Sequence, residues 1–248
     1  MRILLLLVCF WLISEPIYAQ VGIDRSDIWT FSQECEYKDS VCKITLFSVN
    51  FDAAAGAKIK TPLGIGSGSV IGKSSSQEGV ADGWYMGYIL TCGHVADASS
   101  FNLTFTNGNT SIDATKIVAW GDYRESHNND VAIIRGLIPN DVKVLKIARE
   151  PVKSFENVTM IGYGGDSELP RCYIGKVAGS DDTGTVILSY TLPGDSGGPI
   201  INKNGEIVGI IAIGILFSTA ETIDGFPVLG PLSGPALKII KGTIGLIQ

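Results

Sequence analysis

Histidine is almost missing from this chain: His94 and His127 are the only two among 248 residues. That scarcity excludes a histidine-rich metal site, and the cysteines lack the close CxxC spacing that builds a zinc cage, so neither metal nor cofactor is expected. Basic clusters are missing as well. With 19 Lys and Arg against 25 Asp and Glu, the net charge of −6 argues against a nucleic-acid partner, which requires a basic surface. Beyond the first residues, no hydrophobic stretch reaches membrane-spanning length uninterrupted; at the start, Arg2 precedes the apolar run Ile3 to Ile13, and Ser14, Glu15, Pro16 and Ala19 follow. That run is too short for a comfortable membrane span, and its flanks read as a secretory signal over 1–19, cleaved near Ala19 and Gln20. The expected mature chain is soluble, without membrane attachment after signal cleavage, and secreted or periplasmic. Helix-period stretches are lacking until the end, where Ser233, Gly234 and Pro235 precede Ala236 to Lys241 as the cap and first turn of a short helix.

What is plentiful is small and apolar. Charged residues make up 18% of the chain, hydrophobic residues 45%, and there are 30 glycines, a balance that belongs to a packed globular protein rather than a disordered one. Phe101, Leu103 and Phe105 alternate with Asn102 and Thr104, and further short apolar runs stand at Ile117 to Trp120, Val131 to Ile134, Val158 to Tyr163, Val186 to Tyr190 and Ile207 to Ile213. Gly, Asn and Asp turns separate them. Many short strands punctuated in this way predict an all-β barrel or sandwich.

The segment Pro193, Gly194, Asp195, Ser196, Gly197, Gly198, Pro199, Ile200 sets one serine in a turn whose amides can face a developing oxyanion, which makes Ser196 a candidate nucleophile. A serine hydroxyl is weak at neutral pH and needs a base, itself oriented by a carboxylate. His94 ends the apolar run Tyr88, Ile89, Leu90, Thr91, Cys92, Gly93, where a ring can be held at a cleft edge; His127 sits in a polar loop with nothing to fix it. Asp130 opens Val131, Ala132, Ile133, Ile134 and can point inward to fix the imidazole tautomer. Its rival, Asp122, follows Trp120 and Gly121 in a turn-like context that favours the surface.

LTCGHV, DVAII and GDSGGP, in the order His, Asp, Ser, resemble the three signature segments of the chymotrypsin-like (trypsin-fold) serine proteases. The resemblance runs from about Gly64 to Gly214. It implies two six-stranded antiparallel β-barrels with the active site in the cleft between them. The chain then divides into the signal 1–19, an extension and start of the first barrel at 20–50, a first barrel 51–140 carrying His94 and Asp130, a second barrel 141–232 carrying Ser196, and a C-terminal helix or tail 233–248. The family's oxyanion hole maps onto the amides of Gly194 and Ser196, donors worth roughly 2.7–4 kcal/mol each. The activity implied is hydrolysis of polypeptides through an acyl-enzyme, the alternative being a protease-like binding protein without turnover. GSGSVI at Gly66 to Ile71, Val95 after the histidine and the late DGFPVLGPLSGPALKIIK resemble bacterial HtrA-like and related peptidase domains. HtrA enzymes usually carry Asn before the serine and a PDZ domain after the peptidase; here the residue is Asp195 and the chain ends at Gln248.

The resemblance also bears on specificity. Six positions before the nucleophile, where relatives that cleave after Lys or Arg carry an acid, this chain has Tyr190, and no histidine stands in the strand after the serine, as it does in glutamyl endopeptidases. Tyr190, Ala212, Ile213 and Gly214 are the expected substrate-binding residues, favouring uncharged side chains, with the backbone of Ala212 to Gly214 pairing an extended peptide. In trypsin the aspartate beside the serine pairs with a freed N-terminus; for Asp195, that partner and local hydrogen bonds both remain open. Of the four cysteines left after cleavage, Cys35 and Cys42 are the nearest pair and the expected staple. Cys92 and Cys172 fit no bridge of the digestive relatives and are either paired or buried thiols.

Overall fold

The computed structural model describes residues 31–32, 35–52, 56–120, 130–180, 185–189, 191–219 and 222–230. The proposed signal, the C-terminal helix, Asp122, His127 and Tyr190 lie outside the described residues. Among the described residues fourteen strands follow one another: β1 (Phe31–Ser32), β2 (Val41–Asp52), β3 (Ala57–Lys73), β4 (Trp84–Thr91), β5 (Ser100–Thr104), β6 (Thr110–Trp120) and β7 (Val131–Pro139) in the first half. The second half holds β8 (Lys146–Ile147), β9 (Asn157–Gly162), β10 (Arg171–Ser180), β11 (Thr185–Leu188), β12 (Pro199–Ile201), β13 (Glu206–Thr219) and β14 (Thr222–Gly230). The all-β expectation holds. No helix of the described residues is long and apolar enough to cross a membrane.

β2 to β7 close a barrel in the order β2, β3, β4, β7, β6, β5. Its centre is the β4–β7 ladder, where Leu90 faces Ile133 and Ile89 faces Ile134, all four without solvent exposure. Apolar side chains on both sides of a strand belong to a wall covered inside and out, which is why these segments read as continuous hydrophobic runs rather than alternating ones. The Thr106, Asn107, Gly108, Asn109 turn between β5 and β6 is held by the Gly108 N–H to the Phe105 carbonyl, at 2.9 Å, with Gly108 at φ 80°. A left-handed residue in a tight hairpin suits glycine because it carries no Cβ.

The second group runs β10, β11, β14, β13, β12, β9, and the β9–β10 ladder closes these six strands into a ring. Two short strands are added to it. β1 pairs with β10, and β8 pairs with β13 in parallel, so this half is not wholly antiparallel. One apolar cluster runs through both halves, from Ile44, Leu90 and Ile133 in the barrel to Ile161, Tyr163 and Ile210 in the ring. A smaller one, around Met160, Val177, Ile187 and Ile211, belongs to the ring alone. The shared cluster packs barrel and ring together, and the candidate site residues stand on both.

Candidate active site

The base comes from the turn that follows β4. The strand ends at Thr91, and Cys92 to Ala96 make one tight turn closed by the Ala96 N–H to the Cys92 carbonyl at 3.1 Å. Asp130 immediately precedes β7 and reaches into this turn. Its Oδ1 accepts the His94 amide at 2.8 Å and its Oδ2 lies 2.6 Å from Nδ1 of the His94 ring. The aspartate side chain is 1% exposed and the histidine 31%. A carboxylate acceptor at Nδ1 fixes the proton there, leaving Nε2 as the basic nitrogen. Gly93 allows this approach: a Cβ there would stand 3.0 Å from Asp130 Oδ1.

Beneath the pair lies Cys92, which the sequence did not single out as part of the site. Its Sγ is 3.1 Å from the Ile211 carbonyl oxygen of β13, and the thiol also touches the Asp130 carboxylate. Burial, with the aspartate's charge adding to it, pushes the Cys92 thiol well above its ordinary range, so it stays protonated and can donate. Among the described residues, Cys92, His94 and Asp130 form one trio with ligand-type atoms within 4.8 Å of one another. With the thiol protonated and both Asp130 oxygens bonded, the trio is a hydrogen-bonded array rather than a ready cage for a metal.

Ser196 is partly exposed in the turn between β11 and β12, and its geometry is set by the main chain. The Pro193 carbonyl accepts the Gly165 amide at 2.9 Å and the Asp195 carbonyl accepts the Gly198 amide at 2.9 Å. Every peptide described here is trans, and in a trans peptide the N–H points opposite the C=O; the amides of Gly194 and Ser196 are therefore turned away from those two acceptors. These amides flank that of Asp195, which donates to the Leu192 carbonyl at 3.0 Å, and they are the expected donors to a developing oxyanion. Gly194 has φ 102° and Gly197 φ 87°. At Gly197 a Cβ would stand 2.1 Å from the Thr91 hydroxyl and 2.2 Å from the Ser67 carbonyl oxygen, so the serine turn sits directly on the end of β4 and on β3.

One hydroxyl joins the two halves. Ser67 Oγ, in β3, accepts the Tyr163 amide at 2.9 Å and donates to the Gly194 carbonyl at 2.7 Å. The Ser67 main chain adds its amide to the Ser196 carbonyl at 2.7 Å, and the Thr91 hydroxyl donates to its carbonyl at 2.7 Å. The GSGSVI segment was visible in the sequence, but a single serine's role as a bridge depends on the ring's position and has no local signal.

Asp195 lies wholly buried within its own turn. Gly164 donates its amide to Oδ1 at 2.7 Å, Leu192 donates its amide to Oδ2 at 2.7 Å, and the Thr191 hydroxyl lies 3.3 Å from Oδ2. Burial pushes its carboxyl above the ordinary range, opposed by the Leu192 and Gly164 amides, by Thr191 and by Arg171. Among the described residues, local hydrogen bonds thus reach both oxygens. The cradle needs glycine, since a Cβ at Gly162 or Gly164 would meet Asp195 Oδ1 at 2.4 or 2.6 Å.

Of the expected substrate-binding residues, Ala212 is buried in β13, and Ile213 and Gly214 continue the strand opposite Val228 and Pro227 of β14. On the other side, β12 pairs with β13 only as far as Ile210, and Ile211 is taken by Gly197 and Gly198. Among the described residues, that edge has no strand partner from Ala212 onward. All four described cysteines are thiols. The expected Cys35–Cys42 pairing is corrected: Cys35 meets Cys172, while Cys42, opposite Gly68 in β2, turns into the barrel core, where burial pushes its thiol up to about 12.

A family model described as trypsin-like peptidase domain matches residues 66–210. The serine proteases MT3772 and Rv3671c of two Mycobacterium tuberculosis strains are each 30% identical to this chain over 166 residues, covering 61% of it and 39% of their own length. The match therefore spans well under half of those relatives. Among solved structures, the serine endoprotease from Yersinia pestis superposes with a TM-score of 0.57 at 21% identity, covering 83% of this chain and 63% of that one. At that identity the likeness is one of fold.

Proposed function

The chain belongs to the trypsin-like peptidase domain family, and from that premise we propose that it is an exported serine endopeptidase with Ser196, His94 and Asp130 as its triad. The observation that carries this reading is the doubly bonded Asp130–His94 pair on a turn packed directly against the glycine turn that holds Ser196. In the proposed cycle, His94 Nε2 takes the Ser196 hydroxyl proton as Oγ attacks the scissile carbonyl, and Asp130 stabilises the imidazolium that forms. The amides of Gly194 and Ser196 bind the oxyanion. His94 then protonates the leaving amine, and water releases the acyl group by the same steps in reverse order.

The substrate is an extended polypeptide. Among the described residues, the edge of β13 from Ala212 onward has no strand partner, which supports docking of the peptide as an added strand, with main-chain hydrogen bonds giving affinity. Tyr190, Ala212, Ile213 and Gly214 are the proposed pocket for an uncharged side chain before the scissile bond. A profile of cleavage in a random peptide library tests this: enrichment of Lys, Arg or Glu at that position would overturn it. The apolar start at 1–19 supports export, tested by N-terminal sequencing of the protein recovered outside the cytoplasm.

The catalytic assignment is tested by Ser196→Ala, which should lower peptide turnover by about 10⁴–10⁶-fold and abolish labelling by a fluorophosphonate, with the fold unchanged by circular dichroism. Labelling that persists in this variant would sink the assignment. A wild-type protein that folds, yet neither labels nor cleaves, would favour a binding protein built on the protease fold.

A further inference from the structure

Cys35 and Cys172 stand outside the proposed catalytic machinery. Cys35 closes the approach to the barrel: its carbonyl accepts the Lys38 amide at 3.2 Å at the start of the 3-10 turn Lys38–Ser40, and β2 begins directly afterwards. Cys172 is the second residue of β10, and the β1–β10 ladder places Ser32 opposite it. The chain leaving β1 thus passes Cys172 within three residues, and the two thiols hydrogen-bond to each other. Both belong to the apolar cluster shared by barrel and ring, with exposures of 9% for Cys35 and 3% for Cys172. No rearrangement of strands is needed to bring the sulfurs together.

We propose that Cys35 and Cys172 are a modification site that closes to a disulfide, tying the segment before the barrel to the ring. Cys35, as thiolate, attacks one sulfur of a small disulfide such as oxidised glutathione, forming a mixed disulfide and expelling one glutathione thiolate. Cys172 then gives up its proton and displaces the second glutathione. The two protein thiols lose two electrons and two protons in all, and the exchange partner is reduced to two thiols. The Cys172 hydrogen bond favours this order, because it holds Cys35 down to about 7 and pushes Cys172 upward. The barrel, from β2 to β7, lies entirely within the loop so closed, a loop on the order of a hundred residues, long enough for a large loss of unfolded-state entropy.

The test uses the full chain, equilibrated with oxidised glutathione, blocked with an alkylating agent, digested without reduction and mapped by mass spectrometry. The expected product is a cross-linked peptide joining Cys35 to Cys172, with Cys92 and Cys42 alkylated only after unfolding. Reduction should lower Tm by roughly 5–15 °C, a difference absent in Cys35→Ser and in Cys172→Ser. Should either variant fail to fold, Cys42→Ser keeps the question open to refutation, because it leaves the pair intact and must still yield the cross-link. Recovery of Cys35 and Cys172 as free thiols from the oxidised, folded protein overturns the proposal, and so does a Cys35–Cys42 peptide. Fluorophosphonate labelling reports on the serine separately, so failure of one reading leaves the other standing.

Discussion

The barrel holds its reactive group through a side chain, the ring through its backbone. His94 is fixed by two hydrogen bonds to the Asp130 carboxylate, whereas the turn around Ser196 is fixed by carbonyls of Pro193, Asp195 and Ser196 that accept main-chain amides of Gly165, Gly198 and Ser67. A base must have one tautomer and one ring orientation, which a carboxylate can impose. An oxyanion site must present N–H groups, which only backbone geometry can aim. The two halves therefore differ in emphasis: the barrel side centres on one carboxylate for which Gly93 makes room, the ring side on several glycines packed around a turn that the buried Asp195 holds through backbone amides.

The largest test of this contrast is Asp130→Asn, which keeps the shape of the barrel site and loses control of the tautomer. Peptide turnover should fall about 10⁴-fold with little change in KM; a loss under tenfold would mean that His94 is held by something other than Asp130. Next comes Gly194→Ala on the ring side. Its φ of 102° and the 2.8 Å approach of a Cβ to Ile65 force the turn to move, and kcat should drop about 10²-fold, in the range of a lost oxyanion donor, while titrations with a fluorophosphonate show slower labelling. Ser67→Ala removes one hydroxyl that serves both halves. A net hydrogen-bond loss of about 1 kcal/mol predicts a fall in kcat/KM of roughly fivefold, measurable by progress curves, with the same direction of change in Tm.

The smallest effect concerns the seam rather than either half. In the reduced protein the folded-state pKa of Cys35 is depressed to about 7 from an ordinary 9.0, so its thiolate contributes stability that is present above pH 9 and lost as pH falls through 7. Urea titrations under reductant should therefore show wild type gaining on Cys35→Ser as pH rises from 7 to 9. An unchanged difference across that window would remove the Cys35–Cys172 hydrogen bond from the account.

How much of this could be read in the sequence follows from where each signal lies. The candidates His94, Asp130 and Ser196 stood out in the sequence because each sits beside an apolar run or in a glycine turn, a local pattern, and the structure pairs His94 with Asp130. The strand segments were legible for the same reason: Ile207 to Ile213 falls within β13, and Val158 to Tyr163 overlaps β9 up to Gly162. The surroundings of Asp195 were not, because its donors are backbone amides of Gly164 and Leu192, which no side-chain type announces. Cysteine pairing failed through non-locality: nearness in sequence favoured Cys42, but β2 turns Cys42 into the barrel while β1 lays Cys35 beside β10. The added strands β1 and β8 escaped notice because two-residue elements have no periodicity to detect.

Ser67 belongs to the barrel, yet its hydroxyl and amide hold the carbonyls of Gly194 and Ser196 in the ring. A chain in which one half has folded before the other therefore owns the serine without the geometry that would arm it. Docking of the halves and setting of the serine turn are therefore one event: the turn takes its final shape only where Ser67 of the barrel reaches it.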